Sequence, residues 1–473
     1  MLNRFTCIIN TCFILISLTF SPPVLANQAT TNSKSLIKQI NKLENDYRKL
    51  SSAFYQKYSK KSVKDLESFT DIDQLLIRVN RLKASNQSVK AIQLIYFNKK
   101  TVEDNIDTKA VFSIIELLLE NNEWNFAGTL YKQLKSEGDK ALLAPVQFIF
   151  AKYHAKRDEW NKVVKLLDGI FADLSDENVA YAYLLHGSAL QHIKKHRQAV
   201  DSYSKVPLKS EYYSYAQLNT AIANIRQGWW TDAQTKIRDL LKVSNKTNKD
   251  ELTNRLYLIL GYALLQREYY RDARDAFRHI GLDSRYTNRA LLGIGLTATS
   301  QGDYIGGLNA LTILKDKKTF DLSVDESYLL VPYLYEKLQQ EMTVSTSYTD
   351  AMNYFTKRMN KLDKMSAQHI DFNYLDYDKK TMSLNVKNNK FNYGNQFPES
   401  FLNNYSQLYE FKKLSKNSKL NKRITRLLTK YDATYQGVIS DLANQRKKYL
   451  KSYLNQSRYG LARLYDSSNE KSN

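Results

Sequence analysis

Cysteine is almost missing from this chain of 473 residues, in which Cys7 and Cys12 are the only two. From residue 13 onward no disulfide, thiol nucleophile or cysteine-bound metal can be built. Histidine is nearly as sparse: His154, His186, His192, His196, His279 and His369. Only His192 and His196 have ligand-like spacing, and both flank an expected turn between helices, so they are read as structural. Catalytic signatures are missing too. There is no Gly-x-Ser-x-Gly and no phosphate loop, and the carboxylates are scattered. Gly293-Ile294-Gly295-Leu296-Thr297-Ala298 imitates a dinucleotide fingerprint, but no strand precedes it. No enzyme is expected, and no catalytic, cofactor-binding or metal-binding residue is assigned.

Long apolar runs are confined to one place. Residues 1–26 carry one early charge at Arg4, an apolar run over 7–20, Pro22-Pro23, and the small-residue ending Val24-Leu25-Ala26. That order reads as a cleavable secretory signal peptide. The run is too short and too polar for a comfortable membrane anchor. The expected location is therefore the periplasm, with the mature chain starting at Asn27.

What the chain has in abundance is periodicity. A small or modest residue, three after a ring, returns at Ala127, Val163, Ala199, Ala233, Ala273 and Gly307, at spacings of 36, 36, 34, 40 and 34. The rings are Trp124, Trp160, His196, Trp230, Tyr270 and Tyr304. Twelve residues before each anchor stand Ile115, Ala151, Gly187, Ala221, Gly261 and Gly295; four after it stand Tyr131, Leu167, Tyr203, Ile237, Phe277 and Leu311. A period near 34 with this internal order predicts stacked helix pairs A and B. The two small residues are placed where A crosses B, and the ring fills the gap to the next pair. No pair buries its apolar face alone, so stability comes from stacking.

These features resemble the tetratricopeptide repeat, most closely at Gln301-Gly302-Asp303-Tyr304 and at Gln227-Gly228-Trp229-Trp230-Thr231-Asp232-Ala233. Two departures stand out. Leu134, Ile170, Val206, Leu240, Ile280 and Leu314 occupy positions where the family often has a second alanine, and its closing proline is missing. The resemblance implies an all-α, right-handed superhelical solenoid that binds a partner along the concave face made by the A helices. Carried across by position, that face would hold Lys152, Lys156, Tyr181, Gln191, Tyr215, Arg226, Arg255, Tyr262 and Arg289. Lys and Arg there could take carboxylates and Tyr could stack on sugar or peptide, although a wet face without a ligand is the blander reading.

The chain then divides as follows. Residues 27–70 form an N-terminal helix whose apolar stripe Ile40, Leu43, Tyr47, Leu50, Phe54 has heptad rhythm, serving either as a cap or, through 36–58, in self-association. The solenoid occupies 71–320, beginning with a worn repeat in which Val79 and Ala91 hold the two small positions. A degenerate capping repeat covers 321–365, with Pro332 inside a helix and Ala351 lying 44 residues past Gly307. An irregular loop or small hairpin occupies 366–398, basic helices 399–466, and a disordered tail 467–473. Acidic residues are short overall, 48 against 70 Lys and Arg, for a net charge of +22. Over 410–463 the imbalance is fourteen Lys and Arg against Glu410, Asp432 and Asp441. Either this is a solvated face, or Arg446, Lys447, Lys448, Lys451 and Arg458 meet an anionic partner. In a periplasm that partner is an acidic protein surface, an acidic glycan or a lipid headgroup; nucleic acid fits the charge but not the compartment. Two functions follow: an adaptor joining envelope proteins in a pilus, secretion, flagellar or polysaccharide-export assembly, or a glycan- or headgroup-binding module. Part of a peptidoglycan-cleaving enzyme is a distant third.

Overall fold

The computed structural model describes residues 31–60, 66–137, 140–244, 251–319, 321–370, 376–378, 383–386, 389–392, 399–416 and 418–472. The expected leader, 1–26, lies outside them. Helix α1 spans Thr31–Tyr58. There follow α2 (Ile72–Ala84), α3 (Ser88–Phe97), the short α4 (Lys99–Asp104), α5 (Lys109–Glu120), α6 (Trp124–Glu137), α7 (Lys140–Ala155), α8 (Trp160–Leu167), α9 (Asp176–His192), α10 (His196–Ser204) and α11 (Tyr213–Gln227). Next come α12 (Trp230–Ser244), α13 (Glu251–Gln266), α14 (Tyr270–Arg278), α15 (Thr287–Ser300), α16 (Tyr304–Lys315), α17 (Leu322–Lys337) and α18 (Glu341–Ala367). A three-stranded antiparallel meander, β1 (Asp376–Asp378), β2 (Ser383–Val386) and β3 (Asn389–Asn392), pairs Tyr377 with Leu384 and Leu384 with Phe391. Helices α19 (Glu399–Leu414) and α20 (Lys419–Ser472) end the chain. Thus α20 runs through the segment expected to be a disordered tail, because 467–472 contains no Gly or Pro to stop it.

Two compact units result. One comprises Thr31–Gly228 with Asn395–Tyr435, the other Trp229–Gly394 with Gln436–Asn473. The A helices are α2, α5, α7, α9, α11, α13, α15 and α17, and each leads through a tight turn into a B helix. Every one of these turns places a residue in the left-handed region: Asn86, Asn122, Asp158, Lys194, Gly228, Glu268, Gly302 and Gln339, with φ between 56° and 79°. Each lies five residues before a buried anchor. Only two are glycine, although the conformation disfavours side chains.

The turns also reveal the last repeat. Counting five from Gln339 gives Val344, which is buried, 37 residues past Gly307. The phase therefore continues, and Ala351 is not the anchor. Twelve before Val344 stands Pro332, buried within a continuous α17, so the proline occupies the position that glycine or alanine holds elsewhere.

Packing departs from the expected crossing in one respect. A Cβ on Gly187 would fall 2.5 Å from the Tyr203 ring, one on Gly261 2.6 Å from Phe277, and one on Gly295 2.5 Å from Leu311. The first small residue of each of these pairs thus faces not the second small residue but the large one sixteen further on. A ring or branched chain fills the hole that a missing side chain leaves. Beyond the α7–α8, α9–α10 and α15–α16 pairs the core continues into the next A helix. Phe148 and Ala151 of α7 cluster with Val163 and Leu167 of α8 and with Ala182 and Leu185 of α9. Phe148, Val163, Leu167 and Leu185 each contribute about 1.5–3 kcal/mol, the alanines less. The ring before the anchor bridges pairs as expected: Trp124 stacks on Tyr153 at 5.4 Å, and Trp160 on His192 at 4.0 Å.

Helix α1 is committed within its own unit. Ile40, Leu43, Tyr47, Leu50 and Phe54 are all buried. Phe54 stacks on Phe411 of α19 at 4.1 Å, and the Tyr431 hydroxyl donates to the Leu43 carbonyl. Arg48 donates to Asn122 and to Tyr153, while Glu44 pairs with Arg157. Self-association through 36–58 loses its apolar surface, because that stripe already packs on α19 and α20.

Candidate functional site

In the N-terminal unit, the residues assigned to the A-helix face scatter in role. Lys152 pairs with Glu116 and lies over the Phe148 ring at 5.2 Å. Tyr181 stacks on Tyr212 at 5.0 Å, and Gln191 accepts from the Tyr203 hydroxyl at 2.8 Å. Lys156 and Tyr215 are exposed, the latter at 48 %. Arg226 is half-buried; burial lowers its pKa, and its charge joins burial in pushing His192 down to about 4.

In the C-terminal unit, Arg255 is half-buried and Tyr262 is only 3 % exposed. The Tyr262 hydroxyl donates to the Arg289 carbonyl at 2.8 Å, and the Arg289 guanidinium lies 5.9 Å from its ring. Tyr262 is therefore a core residue. Its ring packs edge-on against Phe277 at 4.8 Å, which withdraws it from any ligand.

The basic C-terminal set needs a larger correction. Arg446 lies 2.7 Å from Asp325 of α17, a carboxylate with no exposure at all. Arg358 of α18 reaches the same carboxylate at 3.7 Å, and the Tyr354 hydroxyl donates to it at 2.6 Å. Lys447 pairs with Asp363, and Arg463 with Glu336. The Tyr453 hydroxyl donates to Glu326 at 3.0 Å, and burial raises that carboxyl to about 7. Arg446 and Lys447 thus fasten α20 to α17 and α18 rather than facing a partner. Lys448, Lys451 and Arg458 remain exposed.

Fastening α20 in this way creates a cleft that sequence reasoning did not identify. It holds about 450 Å³ and is lined by Leu296, Thr299 and Ser300 of α15, Leu329, Leu330 and Tyr333 of α17, Tyr348 of α18, and Ser452, Asn455, Gln456, Tyr459, Gly460 and Arg463 of α20. The wall is therefore built from the A helices of the last two pairs, with α20 opposite. Gly460 sets the approach, since a Cβ there would lie 2.5 Å from the Tyr348 ring. Around an apolar floor stand hydroxyl and amide groups that can pair with a peptide backbone, the usual composition of a ligand pocket. Among the described residues no group of three or more His, Cys, Asp or Glu could hold a metal, and no helix is long and apolar enough to cross a membrane.

The helix pairs, most with a small residue in the A helix and each with a buried anchor five residues past the turn, resemble tetratricopeptide repeats in their internal order. No family model matches the chain, and no curated protein does. Among solved structures, the apo form of RapI is similar at 12 % identity, covering 77 % of this chain and 98 % of that one, with a TM-score of 0.45. A Rap protein complexed with competence and sporulation factor is 12 % identical, covering 75 % and 99 %, with a TM-score of 0.28. The TPR domain of P58(IPK) is 14 % identical, covering 60 % and 84 %, with a TM-score of 0.19. With TM-scores below 0.5, these likenesses carry no inference about partners.

Proposed function

We propose that the chain is a non-catalytic protein-binding scaffold of the cell envelope, exported to the periplasm, and that it takes an apolar side chain of a partner polypeptide into the cleft between α15, α17 and α20. The observation that carries this reading is the cleft itself, an apolar hole of about 450 Å³ on the A-helix side of the last two pairs. Its walls are fixed in advance. The Asp325 and Glu336 ion pairs hold α20 in place, so little ordering is needed when a ligand enters. Ser452, Asn455 and Gln456 line one side, where they can receive the amides of an extended segment. Export is supported by the leader pattern of residues 1–26.

Ser452 is exposed and lines the cleft, so Ser452→Trp should plug it without disturbing the core. Capture of the partner from envelope extracts should be lost while the thermal melt stays unchanged. Retention of the same partner by the plugged variant would remove the cleft as the binding surface.

A further inference from the structure

Besides Lys448, Lys451 and Arg458, the exposed positive charge of the C-terminal region lies in the N-terminal unit, at the corner where α19 turns into α20. On α19, Tyr409, Lys412 and Lys413 stand at i, i+3 and i+4, and Lys416 follows in the turn after the helix; all four are exposed. On α20, Lys419, Lys422, Arg423, Arg426 and Lys430 continue the same helical spacing, also exposed. The opposite faces, with Phe401, Leu408 and Phe411 on one helix and Ile424, Leu428 and Tyr431 on the other, are buried. Asn421 ties the two helices together by donating to the Lys412 carbonyl at 2.9 Å and to Ser415 at 3.2 Å. The Tyr58 hydroxyl donates to Ser418, which adds exposed Lys57 and Lys60 at the end of α1 to the same corner. None of the α19 and α20 cations forms a carboxylate ion pair among the described residues, in contrast to Arg446, Lys447 and Arg463 further along.

Two apolar side chains stand among these cations: Leu414 at the apex, 46 % exposed, and Tyr409, 45 % exposed. An apolar residue ringed by lysine and flanked by tyrosine is the arrangement that suits a bilayer interface. There the hydrocarbon and ring can enter the headgroup layer while the ammonium groups remain among the phosphates. Lysine outnumbers arginine in the patch. Lysine meets a field of anionic headgroups as a point charge, whereas paired recognition of individual carboxylates favours arginine. We propose that this corner docks the protein on the anionic face of a phospholipid bilayer. The cleft lies in the other unit and shares no residue with the patch, so either surface can fail without the other.

The test is co-sedimentation of the full chain with vesicles of phosphatidylcholine alone and of phosphatidylcholine mixed with phosphatidylglycerol. Binding is expected only to the mixed vesicles and should weaken steeply with salt. Replacing Lys412, Lys413, Lys416 and Lys419 with Gln should reduce partition by about a thousandfold, with an unchanged circular dichroism spectrum. Leu414→Ser should remove the retention that survives at high salt. Equal sedimentation with both vesicle types, none with either, or none with vesicles but binding to polyglutamate would overturn the assignment; the last result would make the partner an acidic protein.

Discussion

Gly261→Ala separates two opposed effects. Gly261 lies inside α13, where replacing glycine with alanine favours the helix by about 1 kcal/mol. The new methyl, however, would sit 2.6 Å from Cε1 and 2.7 Å from Cδ1 of Phe277. The ring cannot slide away, because a Cβ on Gly293 would lie 2.5 Å from its opposite edge; the α-carbons of two glycines already hold it on both sides. Overpacking of this kind costs about 1–3 kcal/mol, and a clamped ring places it near the upper end. The net expectation is a loss of about 1–2 kcal/mol, the clash outweighing propensity. Gly128→Ala is the control, since its methyl meets nothing nearer than Trp124 at 3.9 Å; it should stabilise by about 0.5–1 kcal/mol. Urea unfolding followed by circular dichroism measures both. Phe277→Leu should recover much of the loss in the Gly261→Ala background. A Gly261→Ala protein as stable as the parent would refute the account of ring and hole.

Three further outcomes follow from the structure. Lys194→Gly should stabilise by about 1 kcal/mol, because a side chain with φ of 66° is replaced by the residue that tolerates it; a lower urea midpoint would contradict this. Burial pushes the Glu123 carboxyl from 4.5 up to about 7, against the lowering effect of hydrogen bonds from Ser51 and Tyr96. The folded state therefore holds a proton that the unfolded chain loses, so this contribution is complete below about pH 4.5 and is lost as pH rises through 7. Glu123→Gln should accordingly flatten the fall in stability between pH 5 and pH 8 by on the order of 1–3 kcal/mol, read from urea midpoints at the two values. Arg446→Gln removes one partner from fully buried Asp325 while Arg358 and Tyr354 remain on it, and should cost about 1–3 kcal/mol, with the end of α20 losing hydrogen-exchange protection first; exchange unchanged across 436–466 would show that the pair does not fasten the helix.

The repeats were legible in the sequence because a helix pair writes its packing into fixed offsets. Ala127, Ala199 and Ala273 announce themselves, and the glycines at 187, 261 and 295 mark the holes. Where chemistry fills a hole differently, the pattern disappears. Pro332 and Val344 hold the last pair's small positions, and neither looks like glycine or alanine. The turns hide for a similar reason, since Lys194, Glu268 and Gln339 adopt a conformation that sequence reading assigns to glycine or asparagine. Charge was legible as composition but not as pairing. Arg446 and Lys447 look free along α20, while the acids that hold them, Asp325 and Asp363, stand more than eighty residues earlier. The cleft was illegible altogether, because it exists only once α20 lies beside α15 and α17.

A photo-crosslink tests most directly whether a partner polypeptide enters that cleft. Tyr459 lines the cleft and is 65 % exposed, so a benzophenone amino acid can replace it without disturbing the core. Irradiation of cells carrying this variant should yield one discrete protein adduct. Mass spectrometry should place the crosslink in an apolar segment of the partner, and adding Ser452→Trp should abolish it. A crosslink that persists with the cleft plugged, or no adduct from Tyr459 while positions on other faces give one, would contradict the account.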